Sequence, residues 1–479
     1  MTPAAPGITI IGSGFAGLCM AIMLKKAGYH DFVVLEKADD LGGTWRDNTY
    51  PGCACDVPSP LYSFSFEPGH RWSRLFAPQA EIWAYLRECA RKYDLSPHLR
   101  YGTEVLALEY DDASARWRVT TSRGTFTTRA VVSAVGALHV PAEPGIPGRE
   151  TFAGPSFHSA RWDHSVELAG KRVAVIGTGA SATQFVPEIA PRVERLYVYQ
   201  RTPAWIIPRP HLPLPGGVRR SPAALRAAIY WYLEGRAAGF ALHPRLTRAF
   251  QAVAERHLAA QVPDPALRAK LTPRYTFGCK RFLLSGDYYP ALLRDNVELV
   301  TDRVTRIGER SIADAAGGER EVDVIVYGTG FKVADAFRAW RVTGRNGLKL
   351  QDAWRDGPEA YLGTTVSGFP NLFLLLGPNT GLGHSSLVFM IEAQVRYVMS
   401  CLRLLSTAGA AALDVRPEAQ RTYNERLHRR LRRRVWSAGG CTSWYLDDDG
   451  VNRATWPGFT FEFWARTRRA SPRAYELLR

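Results

Sequence analysis

The sequence lacks any uninterrupted apolar run of the roughly 20 residues that cross a membrane as a helix. The nearest candidate, Ala227 to Leu242, carries the charged residues Glu234 and Arg236. The apolar N-terminal stretch has no basic segment before it and is broken by glycines, which distinguishes it from a secretory signal peptide. We therefore expect a cytoplasmic location and no stable insertion into a membrane.

Cysteine is scarce and scattered, with seven in 479 residues. An odd number without local clustering does not suggest a disulfide framework. No pair of Cys-x-x-Cys segments recurs with the spacing of a zinc site, so we expect no bound metal. The simplest interpretation is that the cysteines are free thiols in a reducing cytosol.

No basic tract interleaved with aromatic residues stands out, although the formal net charge is +16. We therefore expect no binding of nucleic acid. The positive charge favours small anionic ligands such as pyrophosphates. The content of hydrophobic residues (46%) and of charged residues (22%) is that of an ordinary globular protein, and the length allows two or three domains.

Two glycine-rich turns each follow a buried strand. The first strand, Ile8 to Ile11, leads directly into Gly12-Ser-Gly14-Phe-Ala-Gly17 and then into a helical stretch. In this arrangement the glycines allow a tight turn, the approach of a pyrophosphate and the packing of helix on strand, while the first N–H groups of the helix face the phosphates. The next strand ends in Glu36, which is placed to bind a ribose hydroxyl. The pattern predicts a bound dinucleotide; the alternative is a glycine turn in an ordinary α/β unit.

The second turn is Gly177-Thr-Gly179-Ala-Ser-Ala182, with alanine in the third glycine position. The following strand ends in Gln200-Arg201-Thr202, where the usual acid is missing and an arginine stands nearby. Because arginine suits a 2′-phosphate, we predict NADPH in preference to NADH, the alternative for Arg201 being a solvated surface position. Two such turns in one chain indicate that one bound cofactor passes electrons to the other.

The segment from Gly42 to Asp56 is too rich in glycine, proline and aromatic residues for a regular helix or strand. Its Trp45 and Tyr50 either pack on the face of an isoalloxazine ring or fill a well-packed loop, and composition alone does not separate the two. Cys53 and Cys55 could form a redox or metal pair. We interpret them as small packing residues, because no third ligand is evident nearby.

Residues from about 210 to 273 interrupt the alternation of strands and helices. We predict helices near 222–239 and 246–261, in an insertion that covers the entrance to a substrate site. Its aromatic cluster, Tyr230 to Tyr232, could touch a membrane, line a channel or pack on the core, and the last is the simplest interpretation. A strand at 323–327 then leads into a third glycine turn, Gly328 to Gly330, which we expect to belong to the unit of the first cofactor.

Between the two glycine fingerprints lies the segment Phe152-Ala-Gly154-Pro-Ser-Phe-His158-Ser-Ala-Arg-Trp162-Asp163. It resembles the signature FxGxxxHxxxW, followed by Pro or Asp, of the Baeyer–Villiger monooxygenases, a branch of the flavin-containing monooxygenases. The tryptophan favours this branch over the related N- and S-oxidising branch. A second pattern of the family is met by Gly42, Gly43, Trp45, Tyr50, Pro51, Gly52 and Asp56. The resemblance runs from residue 8 to about residue 460.

The resemblance implies an α/β fold with two Rossmann-like dinucleotide-binding domains, the NADPH domain being inserted into the FAD domain. The FAD domain would consist of residues 1–145 and of residues 321–479, which include the C-terminal tail. The NADPH domain would be residues 150–320, with a helical insertion at about 210–275.

The activity implied by the resemblance uses FAD, NADPH, O2 and a small-molecule ketone. NADPH would reduce FAD, O2 would add to give a C4a-peroxide, and the peroxide would attack the ketone to form an ester or lactone. One alternative is oxygenation of a nitrogen or sulfur atom by the same peroxide. Another is an NADPH oxidase or reductase without oxygen transfer.

The resemblance also implies roles for individual residues. Arg281, in the Lys-Arg position of the family, would be the fixed cation beside the negatively charged oxygen atoms, and Asp56 would position it by a charge-assisted hydrogen bond. The alternative for Arg281 is a salt bridge beneath the insertion. His158 would act as a hinge between the domains, not as a proton carrier, and bound NADP+ would shield the site from water.

The resemblance assigns cofactor contacts to two further sets of residues. The residues implied for FAD are Gly12, Gly14, Phe15, Ala16, Gly17, Glu36, Gly43, Thr44, Trp45, Asp56, Tyr62, Val105 and Leu387. The residues implied for NADPH are Ala54, Cys55, Thr178, Gly179, Ala180, Ser181, Ala182, Gln184, Arg201, Thr202, Lys280 and Arg281. The chain departs from many members at Cys53-Ala54, and His384 occurs in only some subgroups, so the identity of the ketone does not follow.

Overall fold

The computed structural model describes residues 6–210, 222–333 and 341–479. Its strands in these ranges are β1 (Ile8–Ile11), β2 (Phe32–Leu35), β3 (Leu99–Arg100), β4 (Val105–Asp111), β5 (Arg116–Thr121), β6 (Gly124–Thr128), β7 (Ala130–Ser133), β8 (Ser156–His158), β9 (Arg172–Ile176), β10 (Arg195–Tyr199), β11 (Ile206–Ile207), β12 (Leu283–Leu284), β13 (Val297–Val300), β14 (Val304–Ile307), β15 (Ser311–Asp314), β16 (Glu319–Glu321), β17 (Val324–Tyr327), β18 (Arg341–Thr343), β19 (Leu372–Leu374), β20 (Ala412–Val415) and β21 (Tyr475–Leu478). Its α-helices are α1 (Phe15–Lys26), α2 (Thr44–Asp47), α3 (Gln79–Lys92), α4 (Ala180–Ile189), α5 (Pro222–Arg236), α6 (Ala238–Ala241), α7 (Arg248–Gln261), α8 (Pro265–Leu271), α9 (Tyr288–Leu292), α10 (Leu350–Ala353), α11 (Leu387–Ala408), α12 (Pro417–Leu431), α13 (Val435–Ala438) and α14 (Thr460–Arg466).

The first α/β unit is built on a parallel five-stranded sheet in the order β19-β7-β1-β2-β3. Every residue of β1 and β7 is buried. Such strands carry continuous apolar runs because helices and loops cover both faces of a parallel sheet. Helix α1 follows β1 and packs against the long helix α11. The C-terminal part of the chain therefore supplies both a strand and a covering helix to this unit.

The second α/β unit is a parallel sheet in the order β13-β10-β9-β17-β8. All five strands fall between β7 and β19 in the sequence, so the second unit is inserted into the first, as the resemblance implied. The prediction that the turn Gly328 to Gly330 belongs to the first unit is wrong, because the preceding strand β17 pairs with β9 and β8. A side chain at Gly177 would collide with the carbonyl oxygen of Gly328, so this third turn lies against the second fingerprint.

The helical insertion contains α5, α6, α7 and α8, where the sequence predicted two helices. The additional helix α8 begins at Pro265, and the carboxylate of Asp264 accepts hydrogen bonds from the N–H groups of Ala266 and Leu267 at 3.1 and 2.9 Å. This is the usual combination of an N-cap acid and a first-turn proline. The predicted start of the insertion falls partly on residues 211–221, outside the described residues. Among the helices that are described, none has the length and apolar character needed to cross a bilayer.

A disulfide bond joins Cys279 to Cys441, 162 residues apart in sequence. The interpretation of all seven cysteines as free thiols is therefore wrong for these two, whereas Cys19, Cys53, Cys55, Cys89 and Cys401 are free and buried. No local spacing signals such a bond, because the fold alone brings the two segments together. The bond attaches the loop before Lys280 and Arg281 to the C-terminal segment.

Breaking this bond is expected to destabilise the protein. In Cys441→Ser, the unfolded chain regains the freedom of a long loop, a change typically worth about 2–4 kcal/mol. We expect the thermal midpoint of the wild type to fall when a strong thiol reductant is added, and that of Cys441→Ser to start lower and not respond. Cys89→Ser, which removes a free buried thiol, is the matched control and should respond to the reductant like the wild type. The prediction would be contradicted if the thermal midpoint of the wild type stays the same after the disulfide has been completely reduced, as verified by counting free thiols.

Candidate active site

The first glycine fingerprint forms a cradle between β1 and α1. Gly12 has a φ of +98°, and a Cβ atom there would lie 2.6 Å from the carbonyl oxygen of Ala134. The N-cap of α1 is Gly14, which provides no side-chain cap. Gly43 lies against it, because a Cβ atom on Gly43 would be 3.4 Å from the Cα atom of Gly14. Uncapped N–H groups beside backbone that approaches so closely fit a pyrophosphate.

Glu36 lies at the end of β2, beside the first fingerprint. Its carboxylate accepts hydrogen bonds from the N–H of Ser13 at 3.0 Å, from the hydroxyl of Ser13 at 2.8 Å and from the N–H of Ala38 at 3.0 Å. Burial opposes ionisation, but these bonds and the guanidinium of Arg46, 3.2 Å away, lower the pKa of Glu36. The acid is thus fixed as an anion at the end of the strand, where its role toward a ribose remains a prediction.

An aromatic cluster lines the approach to the first fingerprint. The indole N–H of Trp45 donates to the hydroxyl of Tyr62 at 3.2 Å, and the ring of Tyr62 meets the ring of Phe15 edge to face at 5.1 Å. Three residues predicted for FAD thus lie together, with Thr44 in the same short helix α2. Two others lie in separate elements: Val105 begins β4 of a four-stranded sheet, and Leu387 begins α11.

The loop at 42–56 bridges the two units through Gln184 of α4. The amide oxygen of Gln184 accepts from the hydroxyl of Tyr50 at 3.1 Å and from the N–H of Ala54 at 3.2 Å. Its amide nitrogen donates to the carbonyl of Ala54 at 3.0 Å. These hydrogen bonds therefore attach the loop of the first unit to α4 of the second.

The first N–H groups of α4, which follow the second fingerprint, have no side-chain cap. The N-cap residue is Gly179, which is exposed together with Ala180. Thr178 and Ser181 are half-buried beside them, while Ala182 is buried beneath the helix. These are the features of a helix start that accepts a phosphate group.

Arg201 and Lys280 form a pair of like charges near the second fingerprint. Burial lowers the pKa of Lys280, and the positive charge of Arg201 lowers it further, so the two cations are close enough to repel. Neither forms an ion pair with a carboxylate within the described ranges. Arg201 is exposed, Lys280 is half-buried over the ring of Tyr275, and Thr202 follows Arg201. Two unneutralised cations are the side chains expected around a phosphate group.

Arg281 and Asp56 form a bidentate ion pair. The Nε and Nη2 atoms of Arg281 donate to the two carboxylate oxygens of Asp56 at 2.6 and 2.8 Å, and Nη1 donates to the carbonyl of Leu382 at 3.2 Å. Burial opposes both charges, yet each partner stabilises the other, so the pKa of Asp56 is lowered and that of Arg281 is raised. The guanidinium is therefore a permanently charged group held in one orientation.

The ion pair gives a pH dependence of stability with a definite sign. An aspartate has a pKa of about 3.9 in an unfolded chain, so an acid with a lower folded pKa stabilises the fold above about pH 4 and loses that contribution as the pH falls through the folded pKa. We expect Asp56→Asn to lower the thermal midpoint by a constant amount above about pH 5, and by less on acidification. A difference that grows on acidification would contradict this sign.

A cavity of about 530 Å³ lies beside the ion pair. Its walls are mainly apolar and come from α5, α6 and α7 of the insertion and from the segment on both sides of Cys279, including Leu233, Phe240, Phe250, Phe277 and Phe282. Asp56, Arg281 and His384 form part of its lining. A smaller cavity of about 280 Å³ is lined by Tyr50, Ala54 and Gln184, and both cavities share Phe76 and Leu284 in their walls. An apolar pocket with a few convergent polar groups is the usual form of a small-molecule site.

Comparison with known proteins places this arrangement in a family. The profile described as flavin-binding monooxygenase-like matches residues 5–342. A Baeyer–Villiger monooxygenase of Streptomyces coelicolor is 50% identical over 480 residues, which cover 98% of this chain and 92% of the relative. One of Pseudomonas aeruginosa is 49% identical over 488 residues, covering 99% and 93%. The crystal structure of OTEMO in complex with FAD and NADP has a TM-score of 0.90 and 28% identity, and the match covers 100% of both chains.

The chain belongs to the flavin-binding monooxygenases, in their Baeyer–Villiger branch.

The Baeyer–Villiger signature segment lies at the edge of the second sheet. A Cβ atom on Gly154 would collide with the carbonyl oxygen of Asp323, so strand β8 can approach β17 only with glycine there. The ring of Trp162 packs against Phe185 of α4 at 5.2 Å. His158 is buried, its Nδ1 accepts from the N–H of Ala160 at 3.1 Å, and it lines neither cavity described above. These contacts couple the segment to α4, whereas the hinge role of His158 remains a prediction.

Several residues at this Baeyer–Villiger site were missed by sequence reasoning. Arg209 lines the smaller cavity, donates to the carbonyl of Cys55 at 3.3 Å and lies over the ring of Phe76; burial lowers its pKa. Phe240 and Phe250 come from the insertion, where the sequence indicated helical periodicity but not which residues line a cavity. Arg209 is one arginine among many in this basic chain, so nothing in its local sequence could have singled it out.

Proposed function

We propose that the chain binds FAD at the first fingerprint and NADPH at the second, and inserts one atom of O2 next to the carbonyl group of a ketone to give an ester or lactone. The observation that carries this proposal is the Arg281–Asp56 pair at the wall of the apolar cavity. When bound, FAD supplies the transfer of electrons from NADPH to O2. The remaining chemistry falls to the residues of this chain.

The pyrophosphate cradles fit two dinucleotides. The glycines of the first fingerprint, Gly43 and the aromatic cluster of Phe15, Trp45 and Tyr62 would hold FAD, and the open start of α4 with Ala54, Cys55 and Gln184 would hold NADPH. Arg201 and Lys280 would bind the 2′-phosphate. The use of NADPH supports a cytoplasmic location.

Arg281 would stabilise the negative charge that appears when an oxygen atom attacks a ketone. The attack converts the trigonal carbonyl into a tetrahedral adduct, in which the former carbonyl oxygen becomes an alkoxide. A fixed guanidinium in a site with apolar walls stabilises such charge without reorganising. Asp56 uses two of the five guanidinium donors and the carbonyl of Leu382 uses a third, so these contacts fix the plane of the group and leave two N–H donors for the reacting atoms.

The apolar walls would bind the hydrocarbon part of the ketone and exclude water. Phe240, Phe250, Phe277 and Phe282 enclose the cavity from the insertion and from the segment around Arg281. Exclusion of water strengthens the interaction of Arg281 with developing charge and limits loss of the activated oxygen as hydrogen peroxide.

The experiment that tests the proposal is turnover with isotopically labelled O2. The FAD-loaded protein, NADPH and a panel of cyclic and linear ketones would be incubated under ¹⁸O2, and the products analysed by mass spectrometry. We expect an ester or lactone that carries one labelled oxygen atom for each NADPH consumed. Labelled sulfoxide from a sulfide panel with no ester from any ketone would favour heteroatom oxygenation instead, and hydrogen peroxide as the sole product would favour an oxidase.

A further inference from the structure

Exposed aromatic side chains from two helices form a connected group where the insertion meets the C-terminal part of the chain. The exposed fraction is 62% for Trp231, 41% for Phe461 and 39% for Trp464. The ring of Trp231 on α5 lies 6.3 Å from that of Phe461 on α14, and Phe461 stacks against Phe459 at 5.1 Å. Trp464 follows Phe461 by one turn of the same helix. We call these four residues the aromatic patch. Single exposed apolar residues are common, but a connected group of large ones marks an interaction surface.

The two helices that carry the patch are joined on their inner faces. Thr460, which begins α14, donates from its N–H and from its hydroxyl to the carboxylate of Glu234 on α5, at 3.0 and 2.7 Å. Thr460 and Phe463 are fully buried, whereas Phe461 and Trp464 lie on the other side of the same short helix. The exposed rings therefore stand on helices with a defined orientation, and their exposure belongs to the fold.

Two arginines contact Trp464. The guanidinium of Arg396 on α11 lies 4.4 Å from the ring centre, and that of Arg468 lies 5.2 Å from it. Burial lowers the pKa of Arg396, and the positive charge of Arg468 lowers it further. Neither arginine lies within ion-pair distance of a carboxylate in the described parts of the chain, and the same holds for the exposed Arg466 and Arg469 beside them. The patch thus combines apolar rings with positive charge that the protein itself does not neutralise.

The patch and the larger cavity share helix α5. Tyr232 follows Trp231 on this helix, is 63% exposed and contributes to the lining of the cavity. Leu233, the next residue, is buried and also lines the cavity. A surface that binds α5 would therefore lie next to the apolar site proposed for the ketone.

We propose that the aromatic patch docks on the surface of an anionic lipid membrane, with its rings among the headgroups and its arginines on the lipid phosphates. Aromatic rings beside cations suit this layer, because it offers apolar chains on one side and negative charge on the other. The net charge of +16 adds attraction toward an anionic surface. A second copy of the chain fits less well, because a symmetric contact through the patch would bring the arginines of both copies together. Such docking is peripheral and requires no membrane-spanning helix.

The test is cosedimentation of the FAD-loaded protein with vesicles of equimolar phosphatidylcholine and phosphatidylglycerol. We expect binding at low ionic strength that weakens as salt is added, and little binding to vesicles of phosphatidylcholine alone. The double variant Trp231→Ser with Trp464→Ser should lower the affinity for the anionic vesicles by at least about tenfold, because two large rings no longer bury apolar area in the lipid. Arg468→Gln with Arg469→Gln should lower it by roughly 10–30-fold, since each cation near such a surface contributes about fivefold.

Arg303→Gln with Arg310→Gln is the matched control for charge. These two arginines are exposed on the second unit and form no ion pair within the described ranges, so the variant should bind anionic vesicles much more tightly than Arg468→Gln with Arg469→Gln. Flavin content and thermal midpoint verify that each variant folds. Because the assay requires no turnover, it succeeds or fails independently of the proposed function.

Three results would overturn the proposal. The first is the absence of binding to anionic vesicles at low ionic strength. The second is an equal loss of binding in both pairs of arginine variants, which would assign the attraction to overall charge. The third is a dimer that forms without lipid and that the double tryptophan variant dissociates, as measured by sedimentation velocity, which would assign the patch to a second copy of the chain.

Discussion

Replacing Arg281 by alanine is expected to abolish formation of esters and lactones. Loss of a single fixed donor at a developing oxyanion typically lowers kcat by about 10²–10³-fold. Here the change also removes a full positive charge, so we expect a loss of at least about 10³-fold. NADPH consumption should continue and end in hydrogen peroxide, because Arg281 is assigned to oxygen transfer and lies in neither glycine fingerprint.

The reaction used as a readout distinguishes this role from a structural one. Attack on a ketone creates an alkoxide, whereas oxygen transfer to a sulfide does not, so some sulfoxidation should remain in Arg281→Ala. Arg281→Lys should also lose oxidation of ketones, because an ammonium group cannot make the bidentate contact with Asp56. Asp56→Asn should lose roughly 10–100-fold, since the guanidinium keeps its charge but loses part of its orientation. Equal loss of ketone and sulfide oxidation in Arg281→Ala, with full flavin content, would contradict the assigned role.

Replacing both Arg201 and Lys280 by glutamine is expected to remove the preference for NADPH over NADH. Each charged hydrogen bond to a phosphate group contributes about 1.5–3 kcal/mol, so two together amount to at least about 100-fold in the ratio of kcat/KM values for NADPH and NADH. NADH lacks the 2′-phosphate, so its kcat/KM should change little by comparison. The measurement is steady-state oxidation of both nucleotides by the double variant.

Arg192→Gln is the matched control for the nucleotide prediction. Arg192 lies in the turn that follows α4 on the same unit, and its guanidinium is 3.4 Å from the carboxylate of Glu167. The control removes one positive charge from the surface of the same unit, where the double variant removes two, so an effect of the overall charge of the protein would appear in both variants. A ratio that falls as far in Arg192→Gln as in the double variant would contradict a specific phosphate site.

The parts of the fold that the sequence predicts correctly are those determined by the pattern of neighbouring residues. Buried strands such as Ile8 to Ile11, followed at once by glycine turns, predicted both Rossmann-like units, because backbone conformation and helix starts depend on neighbouring residues. The strand before Gly328 was misplaced for the opposite reason. A buried parallel strand has the same apolar sequence pattern in either sheet. Only the pairing of β17 with β9 shows that this strand belongs to the second sheet.

The same distinction holds at the candidate site. Asp56 and Arg281 were expected to meet because the family resemblance pairs two motifs 225 residues apart, and the structure confirms the contact. Phe240 could not be assigned in this way, since the apolar face of an amphipathic helix predicts burial but not which cavity it lines. The disulfide between Cys279 and Cys441 likewise could not be predicted from the sequence, because the two cysteines are adjacent only in the folded protein.

The measurement that most directly tests oxygen activation by this chain is rapid mixing of the NADPH-reduced, FAD-loaded protein with oxygenated buffer, with the flavin absorbance followed over time. We predict that oxidised flavin returns only after a slow phase, and that a ketone substrate shortens this phase and suppresses hydrogen peroxide. A single fast return to oxidised flavin, with one hydrogen peroxide for each flavin and no response to any ketone, would contradict a monooxygenase.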